Sequence, residues 1–222
     1  MKNICILFVF ILGNSFVQAQ NTDRYIGQSM IEGNVVPKNL TLFLLIGQSN
    51  MAGRGEVQPE DREPIPGVWM LSPHYEWIPA VDPMHFDKET AGAGLGRSFA
   101  KKLIELCPGK QIGLIPCAYG GTSLEMWQPE HHLFRNAIYR TEYAMKFGRL
   151  GGILWHQGES DAASKVSSPT YAVRFQKMML EMRERLNAHT VPVLVGTLGD
   201  FVKYRANGIK KYAPEINRQI FS

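Results

Sequence analysis

Three short strings in this sequence hold residue types that could carry acyl chemistry. The first is Leu42-Phe43-Leu44-Leu45-Ile46-Gly47-Gln48-Ser49-Asn50-Met51-Ala52-Gly53. Its apolar run is too short for a helix and reads as a buried strand ending in a tight turn, which would present Ser49 at the carboxyl edge of a sheet. A helix beginning just past the serine would aim backbone N–H groups at its hydroxyl and favour negative charge where an oxyanion forms. The same pattern also describes a strand–turn–helix corner in which Ser49 is an N-cap. The second string, Pro116-Cys117-Ala118-Tyr119-Gly120-Gly121-Thr122-Ser123-Leu124-Glu125-Met126-Trp127, puts a glycine turn past another strand. A backbone N–H there can approach a ligand with no Cβ in the way, although a tight turn that touches no ligand has the same sequence. Trp127 fits either a substrate wall or the core. The third string, Gly152-Ile153-Leu154-Trp155-His156-Gln157-Gly158-Glu159-Ser160-Asp161-Ala162, sets polar groups at the same edge. Gln157 can offer an amide N–H to a developing oxyanion. Glu159 and Asp161 are placed to orient an imidazole or to hold loops, and His156, with strand-like neighbours, reads as a structural histidine.

Positioning these groups on one edge requires a sheet with its helices in register. Apolar runs predict strands at Leu40–Ile46, Gln111–Pro116, Gly151–His156 and Val191–Leu198. Leu95, Phe99, Leu103 and Leu106 recur at helical spacing opposite Arg97, Lys101, Lys102 and Glu105, and Pro108-Gly109 stops that helix. Further helices are expected over Phe134–Phe147, over Tyr171, Phe175, Met178, Met182 and Leu186, and over Tyr212–Phe221. The methionines belong to a core face rather than a cofactor box. Glu56 to Glu89 carries Pro59, Pro64, Pro66, Pro73, Pro79 and Pro83 and is expected to be a mostly irregular excursion. Within it, Trp69, Tyr75 and Trp77 mark a packed loop or small hairpin. Strands alternating with helices imply an α/β fold, a parallel sheet sandwiched by helices.

The chain has 222 residues, 45% apolar and 20% charged, enough for one sizeable soluble domain. A short basic start with Lys2, an apolar run from Ile4 to Leu12 and the small-residue pattern Val17-Gln18-Ala19 read as a secretory signal peptide over residues 1–19. The run is too short to span a bilayer, and Cys5 lacks a lipoprotein context, so no stable membrane anchor is expected. The expected location is exported, periplasmic or extracellular. Without Lys2 the formal charge of +4 becomes +3, with no basic block or interleaved aromatics, which excludes nucleic acid as a partner class. No zinc-type ligand spacing and no glycine-rich phosphate loop occur, so neither a metal nor an organic cofactor is expected. Cys107 and Cys117 are read as free thiols, Cys117 as a small hydrophobe at a strand end.

In order and spacing, the Gly47-Gln48-Ser49-Asn50-Met51-Ala52-Gly53, Gly120-Gly121-Thr122 and His156-Gln157-Gly158-Glu159-Ser160-Asp161 blocks resemble the SGNH (GDSL-like) hydrolases, most of all the carbohydrate esterase family 6 and sialate O-acetylesterase branch. Asp82-Pro83-Met84-His85-Phe86-Asp87 is similar to a loop of that family, so the likeness runs from Leu40 to the end. The resemblance implies a flavodoxin-like sheet and an esterase that removes acetyl groups from xylan-type polysaccharide or sialic acid through an acetyl-enzyme on Ser49. It implies an oxyanion hole built from the N–H of Ser49, the N–H of Gly121 (or its neighbour Gly120) and the side chain of Gln157. Glu159 matches a family carboxylate that assists the catalytic histidine, and Asn50, Gly120 and Trp127 are the expected substrate contacts. The family's general base stands in an Asp-x-x-His element near the C-terminus, after a fifth strand. Here Asp200 is followed by Phe201-Val202-Lys203, and no histidine follows His189. His85 is the nearest candidate. A serine needs an adjacent base to be a useful nucleophile near neutral pH. The expectation is therefore an esterase domain over residues 20–222 that lacks the family's last strand, last helix and catalytic loop. The competing reading is a non-catalytic relative that keeps the sugar pocket.

Overall fold

In the run from Leu40 to Gly47 every residue except Thr41 is buried. An apolar strand buried on both faces must lie inside a sheet with a layer on either side. The computed structural model, which describes residues 37–204 and 211–221, places it there; the signal-peptide expectation lies outside the described residues. Six strands, β1 (Leu40–Gly47), β2 (Val68–Leu71), β3 (Trp77–Pro79), β4 (Ile112–Pro116), β5 (Gly148–His156) and β6 (Val193–Val195), form one sheet in the order β3-β2-β4-β1-β5-β6. The four strands expected from sequence are parallel neighbours. β2 adds a fifth parallel strand against β4, and β3 pairs antiparallel to β2, so the sheet is mixed.

The helices are α1 (Ser49–Ala52), α2 (Leu95–Leu106), α3 (His132–Ala144), α4 (Tyr171–Arg185) and α5 (Ala213–Ile220). Side chains alternate across a strand, and β1 divides its neighbours accordingly. Leu40, Leu42, Leu44 and Ile46 pack with Phe134 and Ile138 of α3, Phe175 and Met182 of α4, and Ile216 of α5. Phe43 and Leu45 face the other layer, with Ala100 and Phe99 of α2; the rings of Phe43 and Phe99 meet edge to face at 4.9 Å. Met178 and Met182 are buried in the first of these cores, as their spacing predicts, and Met179 is buried with them.

Two elements depart from the sequence expectation. Within the proline-rich excursion β2 and β3 form the small antiparallel hairpin expected around Trp69, Tyr75 and Trp77. The departure is that this hairpin joins the sheet through β4, with Pro79 tolerated because β3 is an edge strand. The expected strand Val191–Leu198 shrinks to Val193–Val195. At its far end, Leu198 exchanges hydrogen bonds with the side-chain amide of Asn217, N–H to Oδ1 and Nδ2–H to carbonyl, both 2.8 Å. An amide on α5 thus takes the place of a neighbouring strand and turns the chain out of the sheet. Cys107 and Cys117 are both free, and burial pushes the Cys117 thiol up to about 11.

Candidate active site

The carboxyl ends of β1, β4 and β5 gather the three polar strings. Gly47 sits beside His156 in the β1–β5 register, and the N–H of Gln48 donates to the His156 carbonyl at 2.9 Å. Gly47 has φ +141°, and a Cβ there would overlap that carbonyl oxygen, so only glycine lets the strand turn at this point. The turn leads into α1, whose Met51 and Ala52 N–H groups bond the Gln48 carbonyl. Ser49 opens the helix half-buried. Its backbone N–H lies at a helix start, where donors have no intrahelical acceptor. Asn50 Nδ2 donates to Glu159 Oε1, and the backbone N–H of Ser160 donates to Gln48 Oε1 at 3.3 Å, so one side chain–side chain bond and one backbone–side chain bond join the first and third strings.

The second string is fastened by a run of backbone donors. Cys117 N–H donates to the Leu45 carbonyl (2.9 Å), Ala118 N–H to His85 Nδ1 (3.2 Å), Tyr119 N–H to the Gly47 carbonyl (2.9 Å) and Gly120 N–H to Asp87 Oδ2 (2.8 Å). Gly121 is exposed at φ +85°, and its N–H is the first of the run with no acceptor among the described residues. Beside it, exposed Lys88 places Nζ 5.7 Å from the centre of the Tyr119 ring and 3.9 Å from the position a Cβ on Gly121 would take.

Three expected roles are corrected by these contacts. Gln157 has no exposed surface, and its Nε2 donates to the Thr122 carbonyl at 3.0 Å and to Asp161 Oδ2 at 2.7 Å. Both amide hydrogens are thereby committed, and its Oε1 accepts from the Tyr171 hydroxyl at 2.9 Å. Gln157 is a brace between the second and third strings, not an oxyanion donor. The Gly120 N–H is spent on Asp87 and is not a free donor, so of the glycine pair Gly121 alone keeps a backbone N–H without an acceptor among the described residues. Trp127 is fully buried and meets Trp155 edge to face at 5.4 Å, so it is core rather than a substrate wall. Asp161 holds loops: Oδ2 also accepts from Leu124 N–H (2.8 Å), and Oδ1 takes Arg174 Nη2 (3.0 Å).

The titratable groups differ in what they leave open. Glu159 is buried, and its Oε2 has no partner among the described residues. His156 packs against Gly196, with both ring nitrogens buried and unpartnered among the described residues. Contrary to the expectation that no histidine stands three residues after an aspartate, an Asp-x-x-His string occurs at Asp82-Pro83-Met84-His85. It does not form a dyad. Asp82 faces Asp61, Arg97 and the N–H groups of Gly94 and Met84, and burial pushes its carboxyl up to about 6. His85 spends Nδ1 on Ala118, and burial pulls it down to about 4, with Asp87 opposing and Arg54 and Arg140 adding to the fall. Burial also holds the Tyr171 hydroxyl well above its ordinary range, so it stays a neutral donor to Gln157. No histidine among the described residues hydrogen-bonds Ser49. No cluster of three or more metal-ligating side chains occurs among the described residues.

Residues 39–220 match the model of a family described as carbohydrate esterase, sialic acid-specific acetylesterase. A relative from Arabidopsis thaliana, described as a probable carbohydrate esterase, is 33% identical over 180 residues, covering 72% of this chain and 68% of its own. An X-ray structure of an Arabidopsis thaliana protein superposes with a TM-score of 0.73 at 28% identity, over 82% of this chain and 80% of that one. The fold is also that of NanS (TM-score 0.66, 19% identity, 83% of this chain and 74% of that one). It is shared as well by a carbohydrate acetylesterase from Xanthomonas citri (TM-score 0.58, 18% identity, 82% of this chain and 48% of that one).

Proposed function

The chain belongs to the carbohydrate esterase, sialic acid-specific acetylesterase family, and from that membership and the arrangement around Ser49 we propose that it is an exported SGNH-type serine esterase that removes acetyl groups from carbohydrate. Ser49 Oγ attacks the acetyl carbonyl and forms an acetyl-enzyme, and the sugar hydroxyl leaves with a proton. Water then attacks the acetyl carbon and releases acetate. The oxyanion of each tetrahedral intermediate takes the N–H of Ser49 and the N–H of Gly121. Donors fixed before charge develops are the largest single contribution to acyl transfer in most enzymes. Asn50, tied to Glu159, fixes the turn that carries the nucleophile. Glu159 Oε2, buried and unpartnered among the described residues, is the acceptor an imidazole N–H would use beside Ser49.

The observation that carries this reading is a half-exposed serine at a sheet's carboxyl edge, with two backbone donors left open among the described residues on adjoining turns. Substrate charge follows from Lys88, the cation beside Gly121. It favours an acidic sugar, an O-acetylated sialic acid, over neutral xylan. Acetate release from O-acetylated sialic acid and from acetylated xylan, measured with wild type and Ser49→Ala, tests both points. Release that depends on Ser49 and prefers the acidic sugar is expected, and release that survives Ser49→Ala defeats the reading. One observation favours the second reading, a pocket-bearing relative without turnover: no histidine among the described residues bonds Ser49. Saturable binding of acetylated sugar without acetate release is its signature.

A further inference from the structure

We propose that Asp87 is a positioning residue for the oxyanion hole, holding the Gly120–Gly121 turn so that the Gly121 N–H faces the acetyl oxygen. The proposal rests on the reading of Ser49 as nucleophile. The four donors from Cys117 to Gly120 alternate between two anchors: Leu45 and Gly47 on β1, and His85 and Asp87 on the excursion. The β1 acceptors are backbone carbonyls that any sequence would supply. The other two are side chains, and Asp87 holds the donor next to Gly121. Its side chain is 1% exposed, and the oxygen that receives Gly120 N–H also receives Arg54 Nη2 at 2.6 Å. Arg54 stands one residue past Gly53, the cap of the nucleophile helix, and its Nη1 donates to the Gly53 carbonyl at 2.6 Å. One carboxylate therefore ties the end of the nucleophile turn to the oxyanion turn.

The packing explains why the turn needs glycine. A Cβ on Gly120 would overlap Arg54 Nη2 and lie 3.0 Å from Asp87 Oδ2, so the guanidinium and carboxylate fill the space a side chain would take. Removing the carboxylate leaves Gly120 N–H without its acceptor and Arg54 without its counter-charge, and frees the Tyr119–Gly120 peptide plane, which directly precedes the plane carrying the Gly121 N–H. That acts on a group used only when the oxyanion forms. Its effect belongs in kcat and not in KM.

The test compares wild type, Ser49→Ala, Asp87→Ala and Asp87→Asn in steady-state hydrolysis of p-nitrophenyl acetate. Inhibition by a small boronic acid, which forms a tetrahedral adduct on serine, and thermal melting are measured alongside. Loss of an oxyanion donor costs about a hundredfold or more in kcat, and a misaimed donor is expected to cost about tenfold or more. Asp87→Ala should lower kcat by that factor with KM within about twofold, and should weaken boronate binding in proportion. Asp87→Asn, whose amide oxygen can still accept from Gly120, should recover most of both, and it serves as the folded comparison if Asp87→Ala melts early. A Ser49-dependent rate and a boronate affinity unmoved by Asp87→Ala overturn this role alone. A wild-type rate that survives Ser49→Ala overturns the nucleophile reading and this role with it.

Discussion

Asp82 and His85, three residues apart and both buried, should pull the pH dependence of stability in opposite directions. Each tenfold change in proton affinity is worth about 1.4 kcal/mol. Burial lowers His85 from 6.5 to about 4, so between those values the unfolded chain binds a proton the folded one refuses. The native state is then unpenalised above the unfolded value of 6.5 and loses about 3 kcal/mol as the pH falls to the folded value. Asp82 is raised from 3.8 to about 6, so in that window the folded chain holds a proton the unfolded one has released. Here the native state is unpenalised below 3.8 and loses about 3 kcal/mol as the pH rises through the folded value. In the wild type the two contributions nearly cancel between about pH 4 and pH 6. Asp82→Asn removes one of them, and its stability relative to wild type should fall by about 3 kcal/mol as the solution is acidified across that window. His85→Asn, which keeps an acceptor for Ala118 N–H, should do the reverse. Urea unfolding of the three proteins at several pH values and constant ionic strength gives the differences directly, because the remaining groups cancel. Parallel stability curves for all three would refute the account of both burials.

Gln157→Ala should act mainly on folding: it strips acceptors and donors from Thr122, Asp161 and Tyr171 at once, and a loss of about 2–4 kcal/mol in urea unfolding is expected. A stable variant with kcat reduced a hundredfold would restore Gln157 to the oxyanion hole. Gly47→Ala forces a Cβ onto the His156 carbonyl at a positive φ, and soluble yield and melting temperature should collapse together. Lys88→Met should raise KM for O-acetylated sialic acid severalfold while leaving KM for p-nitrophenyl acetate unchanged; equal shifts on both substrates would remove Lys88 from substrate recognition.

The legible parts of this chain are those whose cause is local. α2 was readable to its ends, Leu95 and Leu106, because four apolar residues share one face and Pro108-Gly109 follows. β1 and its turn were readable because an apolar run that short, followed by Gly47, has few other uses. The small hairpin of β2 and β3 was readable from Trp69, Tyr75 and Trp77, but its place in the sheet was not, because that comes from the pairing of β2 with β4, which is remote in sequence. β5 begins at Gly148, before the expected Gly151, since Gly148 and Arg149 carry no apolar signal and are held by pairing with Leu40 and Thr41. At the site, residue types were readable and allegiances were not. Gln157 has the chemistry of an oxyanion donor, and nothing in its neighbourhood of sequence announces that Thr122, 35 residues away, and Asp161 claim its two hydrogens. Asp87 was passed over for the same reason, since its partner Gly120 lies 33 residues on. The glycine pair was visible, but which of the two N–H groups stays open is decided by that carboxylate.

The central claim is that Ser49 is the nucleophile, and acetylation of that residue tests it without depending on which group serves as base. Intact-mass and peptide-mass analysis after brief mixing with p-nitrophenyl acetate should find a single acetyl group on the peptide containing Ser49. It should be absent from Ser49→Ala, and its formation should slow in Asp87→Ala. An oxyanion hole retains part of its rate enhancement even without a base, so slow acetylation still satisfies the account. Acetylation of other residues with Ser49 untouched, or an unchanged adduct in Ser49→Ala, would contradict it.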